Sequence, residues 1–253
     1  MPRNLSEDGA GRFWEIDFLR GVAIVLMILL HLVDDLYFFG GFRGLPFVPW
    51  LIWQRVTAAL FLILVGVGLA LGRSKAGPQQ NGRLFWRNCR RGGRIFLWGM
   101  LITLVTWLFL REGYVRFGVL HLIGLAIVLS YPFLGLRYWN LLLGVAAIAG
   151  GSYLARLQMA GPWLLWLGVK SENFFAVDYF PLLPWFGAIL WGVFLGNTLY
   201  AGHRRNFALR DRSHLPLIRW GCYLGENSLL IYLIHQPLLI SLLYLYGWIS
   251  GRG

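Results

Sequence analysis

The chain has 253 residues, of which 58% are hydrophobic and only 13% charged, and its mean hydropathy is +0.61. This composition excludes a soluble globular protein and a disordered chain, and continuous apolar runs exclude a membrane β-barrel. The net charge of +12 does not indicate nucleic acid, because the basic residues lie between apolar runs, where they orient a membrane protein and meet anionic lipid. We expect an all-α, polytopic integral membrane helix bundle in the cell membrane.

Seven apolar runs approach or exceed the roughly twenty helical residues that cross a bilayer. They cover residues 13–39, 50–72, 94–110, 117–133, 139–157, 184–200 and 228–248. The first run is too long for a signal peptide, so we expect no cleaved leader. The shorter apolar stretch 163–168 is predicted to form a half-buried interfacial or re-entrant helix. Without an internal repeat or a change in composition, residues 1–253 are interpreted as a single domain.

Lysine and arginine residues are unevenly distributed between the two sides that these runs define. Sixteen of the 23 fall on the side of the N-terminus, and seven fall on the other side. The positive-inside rule then predicts a cytoplasmic N-terminus and an external C-terminus. Cys89 and Cys222 both fall on the reducing side, so we expect free thiols, and their spacing predicts no metal site.

The segment 73–94, here called the basic segment, is predicted to be a cytoplasmic loop. It contains a Gly/Pro/Asn turn followed by a run of arginines. Guanidinium groups pair well with phosphate oxygens, so this run predicts an anionic-ligand site. We call its four members the arginine cluster: Arg87, Arg90, Arg91 and Arg94.

The first run carries most of the ionisable residues that would be costly inside a bilayer. Arg20 and His31 are eleven residues apart, so they share a helix face to within about 20° and lie about 16 Å apart along the axis. Asp34 and Asp35 follow within about one turn of His31. This stripe presents an anion-binding cation and an imidazole flanked by carboxylates. A purely structural interpretation stays open, with an Asp17–Arg20 ion pair, a packed His31 and a solvated acidic end.

Two later histidines are candidate substrate contacts. His121 opens the fourth run, and His235 precedes Pro237, which kinks a membrane helix and frees a carbonyl group. Each is also compatible with a packed structural histidine. Asn227, at the cytoplasmic start of the last run, either caps the helix or contacts a cofactor.

An acid and a hydroxyl lie together just before the sixth run. Asp178 and Tyr179 are predicted to lie at the outer surface, where they either bind a polar acceptor or form a rigid turn before Pro184.

Glycines at small-xxx-small spacings predict close helix packing in the second and sixth runs. They are Gly66, Gly68, Gly72, Gly187, Gly192 and Gly196.

These residues resemble the bacterial and archaeal relatives of heparan-α-glucosaminide N-acetyltransferase. The resemblance rests on Ile16–Met27 followed by His31, and on residues 117–121, 178–187 and 227–237. The Arg20-x10-His31 spacing is similar to the signature of the wider transmembrane acyltransferase superfamily. The lysosomal member of the family has asparagine at the position of His31 and its active histidine further on, so His31 fits the bacterial pattern better.

The resemblance implies a membrane enzyme that moves acetyl from cytosolic acetyl-CoA to an amine or hydroxyl of an amino sugar or other glycan-type acceptor. His31 is then the general base, oriented by Asp34 or Asp35, in direct transfer or through an acetyl-histidine. Arg20, the arginine cluster and Asn227 would bind acetyl-CoA. The acceptor, a small carbohydrate or amine, would contact His121, Asp178, Tyr179 and His235.

We also expect membrane lipids as partners and a homo-oligomer, most simply a dimer. The alternative function is a small transporter or channel that uses the polar stripe of the first run as a proton or solute path. The lack of a detectable repeat and the single basic side disfavour it.

Overall fold

A computed structural model of the protein describes residues 12–40, 47–77, 80–172 and 174–249. Within these ranges the backbone forms eight α-helices: α1 (Trp14–Gly40), α2 (Phe47–Ala76), α3 (Asn81–Leu110), α4 (Val119–Leu129), α5 (Trp139–Leu154), α6 (Leu182–Leu199), α7 (Pro216–Glu226) and α8 (Ser228–Ile249). Five of them, α1, α2, α3, α6 and α8, are long and apolar enough to cross a membrane, and α4 and α5 are shorter apolar helices. Each of these seven helices overlaps one of the seven predicted runs, but α4 and α5 are shorter than the roughly twenty residues that cross a bilayer, so the number of seven spans stays a prediction. The predicted fold class, an all-α polytopic membrane bundle, is confirmed.

The basic segment is mostly helical, and the prediction of a loop over its whole length is wrong. α2 continues to Ala76 and α3 begins at Asn81, so the arginine cluster lies on the first half of α3. Arginine and leucine are strong helix formers, so the helix extends through the charged residues. A span predicted from hydropathy ends where charged residues begin, whereas a helix continues as long as its backbone hydrogen bonds do.

The apolar stretch 163–168 is not the short helix that the sequence predicts. It forms consecutive turns that end at Gly168, whose φ of +133° favours glycine. The backbone N–H of Leu182 donates to the carbonyl oxygen of Trp166, at 2.7 Å. The carbonyl oxygen of Leu164 accepts hydrogen bonds from nearby N–H groups, as in a turn. The carbonyl oxygen of Leu167 accepts from the N–H of Leu183, so the turns do not continue as a helix.

Helix α7 lies in a region that the sequence assigns to a loop and to the approach to the last run. It begins with Pro216 at its first turn, a position where the missing N–H is tolerated. Leu217 and Trp220 are exposed on one side, and Gly225 is buried on the other. This one-sided pattern belongs to an amphipathic helix, and eleven residues are too few to span a bilayer, so hydropathy does not detect it.

The chain divides into two compact units. The first comprises Met1–Phe61 and Leu209–Gly253, and it contains α1, the first half of α2, α7 and α8. The second comprises Leu62–Ala208, and it contains the rest of α2 with α3, α4, α5 and α6. The interpretation of residues 1–253 as one functional domain stays a prediction.

In the first unit, α1 packs on α7 through glycines. A Cβ atom at Gly21 would overlap the carbonyl oxygen of Gly221, and one at Gly225 would overlap the carbonyl oxygen of Asp17. The two backbones therefore touch, as in small-xxx-small packing. This contact fixes α7 against the first turns of α1.

The second unit uses the same kind of glycine contact between further pairs of helices, including Gly187 of α6 against Gly144 of α5. Gly66 of α2 lies against α6 at Gly192, and Gly92 of α3 lies against Gly124 of α4. The first pair confirms the close packing predicted for Gly66 and Gly192. Side chains of α4 form the centre of this unit, where Leu122 is fully buried.

Candidate active site

The cytoplasm-facing end predicted for α1 carries a network of charges around Asp17. Its carboxylate accepts hydrogen bonds from Arg12 Nε and Arg20 Nη1, each at 3.0 Å, and Arg12 also lies 3.6 Å from Glu226 of α7. The bond to Asp17 raises the pKa of the Arg12 guanidinium despite its partial burial. The Asp17–Arg20 pair of the structural interpretation is therefore present, and Nη1 is the Arg20 nitrogen that it engages.

His31 lies two thirds of the way along α1, and its hydrogen bond defines its tautomer. Its Nδ1 is 2.9 Å from the carbonyl oxygen of Met27, one turn earlier. A carbonyl oxygen can only accept, so Nδ1 carries the proton, and Nε2 of the neutral ring keeps its lone pair. A general base accepts a proton through such a lone pair, so Nε2 is the basic atom of His31.

His235 of α8 lies directly against His31. The two ring centroids are 4.8 Å apart and the rings meet edge to face at 75°. His235 Nδ1 is 2.6 Å from the carbonyl oxygen of Tyr232, so this ring also leaves Nε2 as an acceptor. The structure thus brings together two of the three histidines that the sequence selects.

Asp34 and Asp35 are held by side chains other than His31. Asp34 accepts hydrogen bonds from Trp50 Nε1 at 2.9 Å and from Gln54 Nε2 at 3.2 Å. Asp35 accepts from Gln236 Nε2, at 2.8 and 3.1 Å to its two oxygens. Because Nδ1 of His31 is bonded to the backbone, these carboxylates orient other groups and act on His31 through their charge. Their predicted role in orienting the base stays a prediction.

The arginine cluster lines an open cleft on α3. The cleft has a volume of about 610 Å³, and its walls are Trp86 and the four arginines. Arg87 Nη2 donates to the carbonyl oxygen of Gly72 at 3.1 Å, which links α3 to the end of α2. A cleft with this lining suits an anion with a flat aromatic group, because guanidinium pairs with phosphate and indole stacks.

His121 is buried at the start of α4, only 1% exposed, and both its ring nitrogens have internal partners. The N–H of Gly118 donates to Nδ1 at 3.1 Å, and Nε2 lies 3.4 Å from Thr103 Oγ1. Thr103 Oγ1 in turn donates to the carbonyl oxygen of Val115. His121 therefore caps the helix, and a substrate contact would require one of these bonds to be exchanged.

Asp178 and Tyr179 lie in a loop that is bonded to the same end of α4. Asp178 Oδ2 accepts a hydrogen bond from the N–H of Val119 at 3.3 Å, and Tyr179 OH donates to the carbonyl oxygen of Leu165 at 2.7 Å. Burial raises the pKa of Tyr179 to about 12, so the phenol stays neutral. Asp178 stabilises the N-terminus of α4, and these bonds favour the alternative of a turn before Pro184. Binding of an acceptor by Asp178 and Tyr179 stays a prediction.

Asn227 lies between α7 and α8. Its Nδ2 donates to the carbonyl oxygen of Tyr223 at 2.8 Å, and its own carbonyl accepts from the N–H of Ile231. These bonds end one helix and begin the next, which is the capping alternative that the sequence leaves open. A cofactor contact by Asn227 stays a prediction.

The predicted site residues thus fall in two groups, one in each unit. The first unit holds Arg20, His31, Asp34, Asp35, Asn227 and His235, and the second holds the arginine cluster, His121, Asp178 and Tyr179. Sequence reasoning missed Gln236, Trp50 and Gln54, which bind the two carboxylates. Over the described part of the chain, no group of three or more His, Cys, Asp or Glu residues is placed to hold a metal.

Comparison with known proteins supports one family. No curated protein and no solved structure matches the chain significantly. The family model described as heparan-alpha-glucosaminide N-acetyltransferase, catalytic, matches residues 12–237, and this range includes every predicted site residue. The match covers most of the chain, so the chain belongs to the heparan-α-glucosaminide N-acetyltransferase catalytic family.

Proposed function

We propose that this chain, a membrane acetyltransferase of the general kind that its family defines, moves acetyl from cytosolic acetyl-CoA to an amine or hydroxyl of a glycan-type acceptor. The observation that carries the proposal is the contact between His31 and His235. The imidazole of His31 is half-buried and that of His235 is buried, and they pack together beside the part of α1 that carries Asp34 and Asp35. Such a pair is costly to place in a membrane helix and therefore points to function.

His31 acts as the general base in this proposal. Its Nε2 takes the proton of the acceptor N–H or O–H while that nitrogen or oxygen attacks the thioester carbon. The new C–N or C–O bond forms, the C–S bond breaks, and CoA leaves as the thiolate that is reprotonated. Asp34 and Asp35, within about one turn of His31, stabilise the imidazolium that forms.

Acetyl-CoA binds through its phosphates in this proposal. Arg20 and the arginine cluster supply the guanidinium groups, with Asn227 as a further contact, and the pantetheine arm follows the Arg20–His31 face of α1. The cleft on α3 fits phosphates by charge, and Trp86 fits the adenine by stacking. Arg20 donates to Asp17 through Nη1. Because a hydrogen bond to a charged group contributes about 1.5–3 kcal/mol, Arg20→Ala is expected to weaken acetyl-CoA binding by this amount, and Arg20→Lys is expected to recover part of the loss.

The acceptor lies near His31 and contacts His235. We keep His121, Asp178 and Tyr179 as further candidate contacts, although their internal bonds would have to be exchanged. We also propose that the protein is a multi-pass protein of the cell membrane, with its N-terminus in the cytoplasm, its C-terminus outside, and a dimer as its functional form.

The test is acetyl transfer by purified protein in proteoliposomes. Labelled acetyl-CoA is offered with a panel of amino sugars and sugar alcohols, and binding of acetyl-CoA and dephospho-CoA is measured on the same preparations. We expect transfer to at least one acceptor and weaker binding of dephospho-CoA. A protein that binds no acetyl-CoA would not be an acetyl-CoA-dependent enzyme.

A further inference from the structure

Two neighbouring residues of α8 carry buried acceptor atoms that lack hydrogen-bond partners among the residues that the structure describes. They are His235 Nε2 and Gln236 Oε1. His235 is 6% exposed, and its Nδ1 is already committed to Tyr232. The amide nitrogen of Gln236 is committed to Asp35, which turns its oxygen away from that carboxylate.

A buried acceptor without a partner is destabilising, so each such atom needs a physical explanation. In the second unit, Asn140 Oδ1 is also a buried acceptor without a hydrogen-bond partner, so one such atom by itself is not evidence of a ligand. What sets His235 and Gln236 apart is their neighbours on α1. His235 packs on His31, and Gln236 binds Asp35, which is one turn beyond His31.

The adjoining part of α1 supplies acceptors: His31 Nε2 keeps a lone pair, and Asp34 and Asp35 are carboxylates. The ring of Tyr232 also packs against His235, with 5.4 Å between the centroids, but it makes no hydrogen bond to either of the two atoms. A set of acceptors is complementary to a ligand that donates hydrogens. In the neutral form neither imidazole donates through Nε2, because the proton of each ring lies on Nδ1 and bonds a backbone carbonyl oxygen.

We propose that His235 Nε2 and Gln236 Oε1 form an acceptor subsite that receives two hydrogen bonds from the group to be acetylated and its neighbour. The ligand class is a primary amine beside a hydroxyl: the hydroxyl and one N–H bond the subsite, and the second N–H faces His31 Nε2. The subsite holds that group beside His31 Nε2, and the inference rests on the proposed acetyl transfer. His235 and Gln236 bind the acceptor, and His31 alone takes the proton.

The experiment measures acceptor binding and transfer separately. Labelled glucosamine is titrated onto proteoliposomes without acetyl-CoA to obtain Kd, and KM for glucosamine is measured with labelled acetyl-CoA. The variants are His235→Phe and Gln236→Leu, and Asn140→Leu is the matched control, because it removes a buried amide with an orphan oxygen that lies outside the subsite.

We expect His235→Phe and Gln236→Leu each to raise Kd and KM for glucosamine by about 2- to 12-fold, the loss of one ordinary hydrogen bond. Acetyl-CoA Kd should not change, and Asn140→Leu should leave both glucosamine constants unchanged. N-methylglucosamine, with one N–H fewer, should bind the wild type more weakly and be insensitive to one of the two substitutions.

Glucosamine constants within a factor of two of wild type in both variants would overturn the subsite, as would an equal effect of Asn140→Leu. If the two variants fail to fold, the wild-type comparison decides, and equal affinity for glucosamine and N-methylglucosamine overturns the proposal. Absence of glucosamine binding to the wild type also overturns it. Acetyl-CoA binding and transfer to other acceptors test the proposed function independently of these results.

Discussion

The imidazole rings of His31 and His235 meet edge to face with 4.8 Å between their centroids, although 203 residues separate them in the chain. Each Nδ1 is bonded to a backbone carbonyl oxygen of its own helix. The backbone of α1 and of α8 therefore fixes which nitrogen of each ring is basic. In each ring Nε2 is the nitrogen that is left to accept a proton or a hydrogen bond.

Removing the imidazole of His31 should abolish most of the transfer. A general base typically contributes 10²–10⁴-fold, so His31→Ala is expected to lose transfer by about that factor while acetyl-CoA binding persists. Asp34→Asn and Asp35→Asn should cost less, because they act through charge. The assay is transfer from labelled acetyl-CoA in proteoliposomes. Near-wild-type turnover in His31→Ala, with a dead His121→Ala or His235→Ala, would assign the chemistry to another histidine.

The cleft on α3 should recognise phosphate. These arginines are exposed, so each is expected to contribute modestly, and the double change Arg90→Gln with Arg94→Gln should weaken acetyl-CoA binding by about 2- to 30-fold. The matched control is Arg156→Gln, an exposed arginine outside the cleft. If the cluster holds the 3′-phosphate, the double variant no longer distinguishes acetyl-CoA from dephospho-CoA. Undiminished discrimination would remove the cluster from the phosphate site.

A methyl group at Gly225 should separate α7 from α1. The added Cβ would overlap the carbonyl oxygen of Asp17, and overpacking of this kind typically costs about 1–3 kcal/mol. Thermal unfolding of Gly225→Ala in detergent should show a lower Tm than that of the wild type. Gly150→Ala in α5 is the control, because no described atom beyond the adjoining residues and the backbone of its own helix lies within 4 Å of its Cβ position, and helix propensity favours alanine there. Equal Tm values for both variants would contradict the close contact.

Cys222 should be an unusually slow thiol. Burial, followed by the nearby Asp17, raises its pKa to about 11, and its Sγ–H donates to the carbonyl oxygen of Trp14. The thiolate is the reactive form, so maleimide labelling of Cys222 in Cys89→Ser at pH 8 should be about 10- to 100-fold slower than that of an ordinary exposed thiol.

The same pKa has a consequence for stability. Between pH 9 and pH 11 the unfolded thiol releases its proton and the folded thiol retains it, so the free energy of unfolding falls as pH rises through this window. Below pH 9 both states are protonated and Cys222 adds no pH dependence. Unfolding of Cys222→Ser should lack this part of the alkaline loss, and an identical profile in the two proteins would contradict the raised pKa.

The orientation of the chain can be tested with single cysteines. In a cysteine-free background, a cysteine at Arg83 should react with an impermeant reagent only from the cytoplasmic side, and one at Glu172 only from outside. The distribution of basic residues requires this result. Labelling of both positions from the same side would show that the number of crossings between them is wrong.

The sequence predicts the helices better than it predicts their partners. Arg20 and His31 are predicted on one face because helical periodicity is local information. His235 is selected for its place before Pro237, but its contact with His31 depends on which helices pack together, and local periodicity does not encode that choice. Gln236 is missed for the same reason, since its role depends on Asp35, 201 residues away.

The arginine cluster and His121 show two further limits of the sequence. Charge ends a hydropathy span but not a helix, so the arginines lie on α3 rather than in a loop. His121 caps α4 by accepting the N–H of Gly118, three residues earlier, whereas the usual capping box has Glu or Gln at this position, so the sequence does not indicate this role.

The polar contacts of α1 also set an order of events during synthesis. Trp14 is bonded to Cys222 and Asp35 to Gln236, over separations of 208 and 201 residues. At about 5–20 residues per second, a ribosome needs roughly 10–40 s to make the intervening chain. During that time α1 carries its acids and its histidine without the surfaces of α7 and α8. A nascent chain that stalls before residue 209 would therefore leave the polar groups of α1 without their partners on α7 and α8, in a state that membrane quality control can recognise.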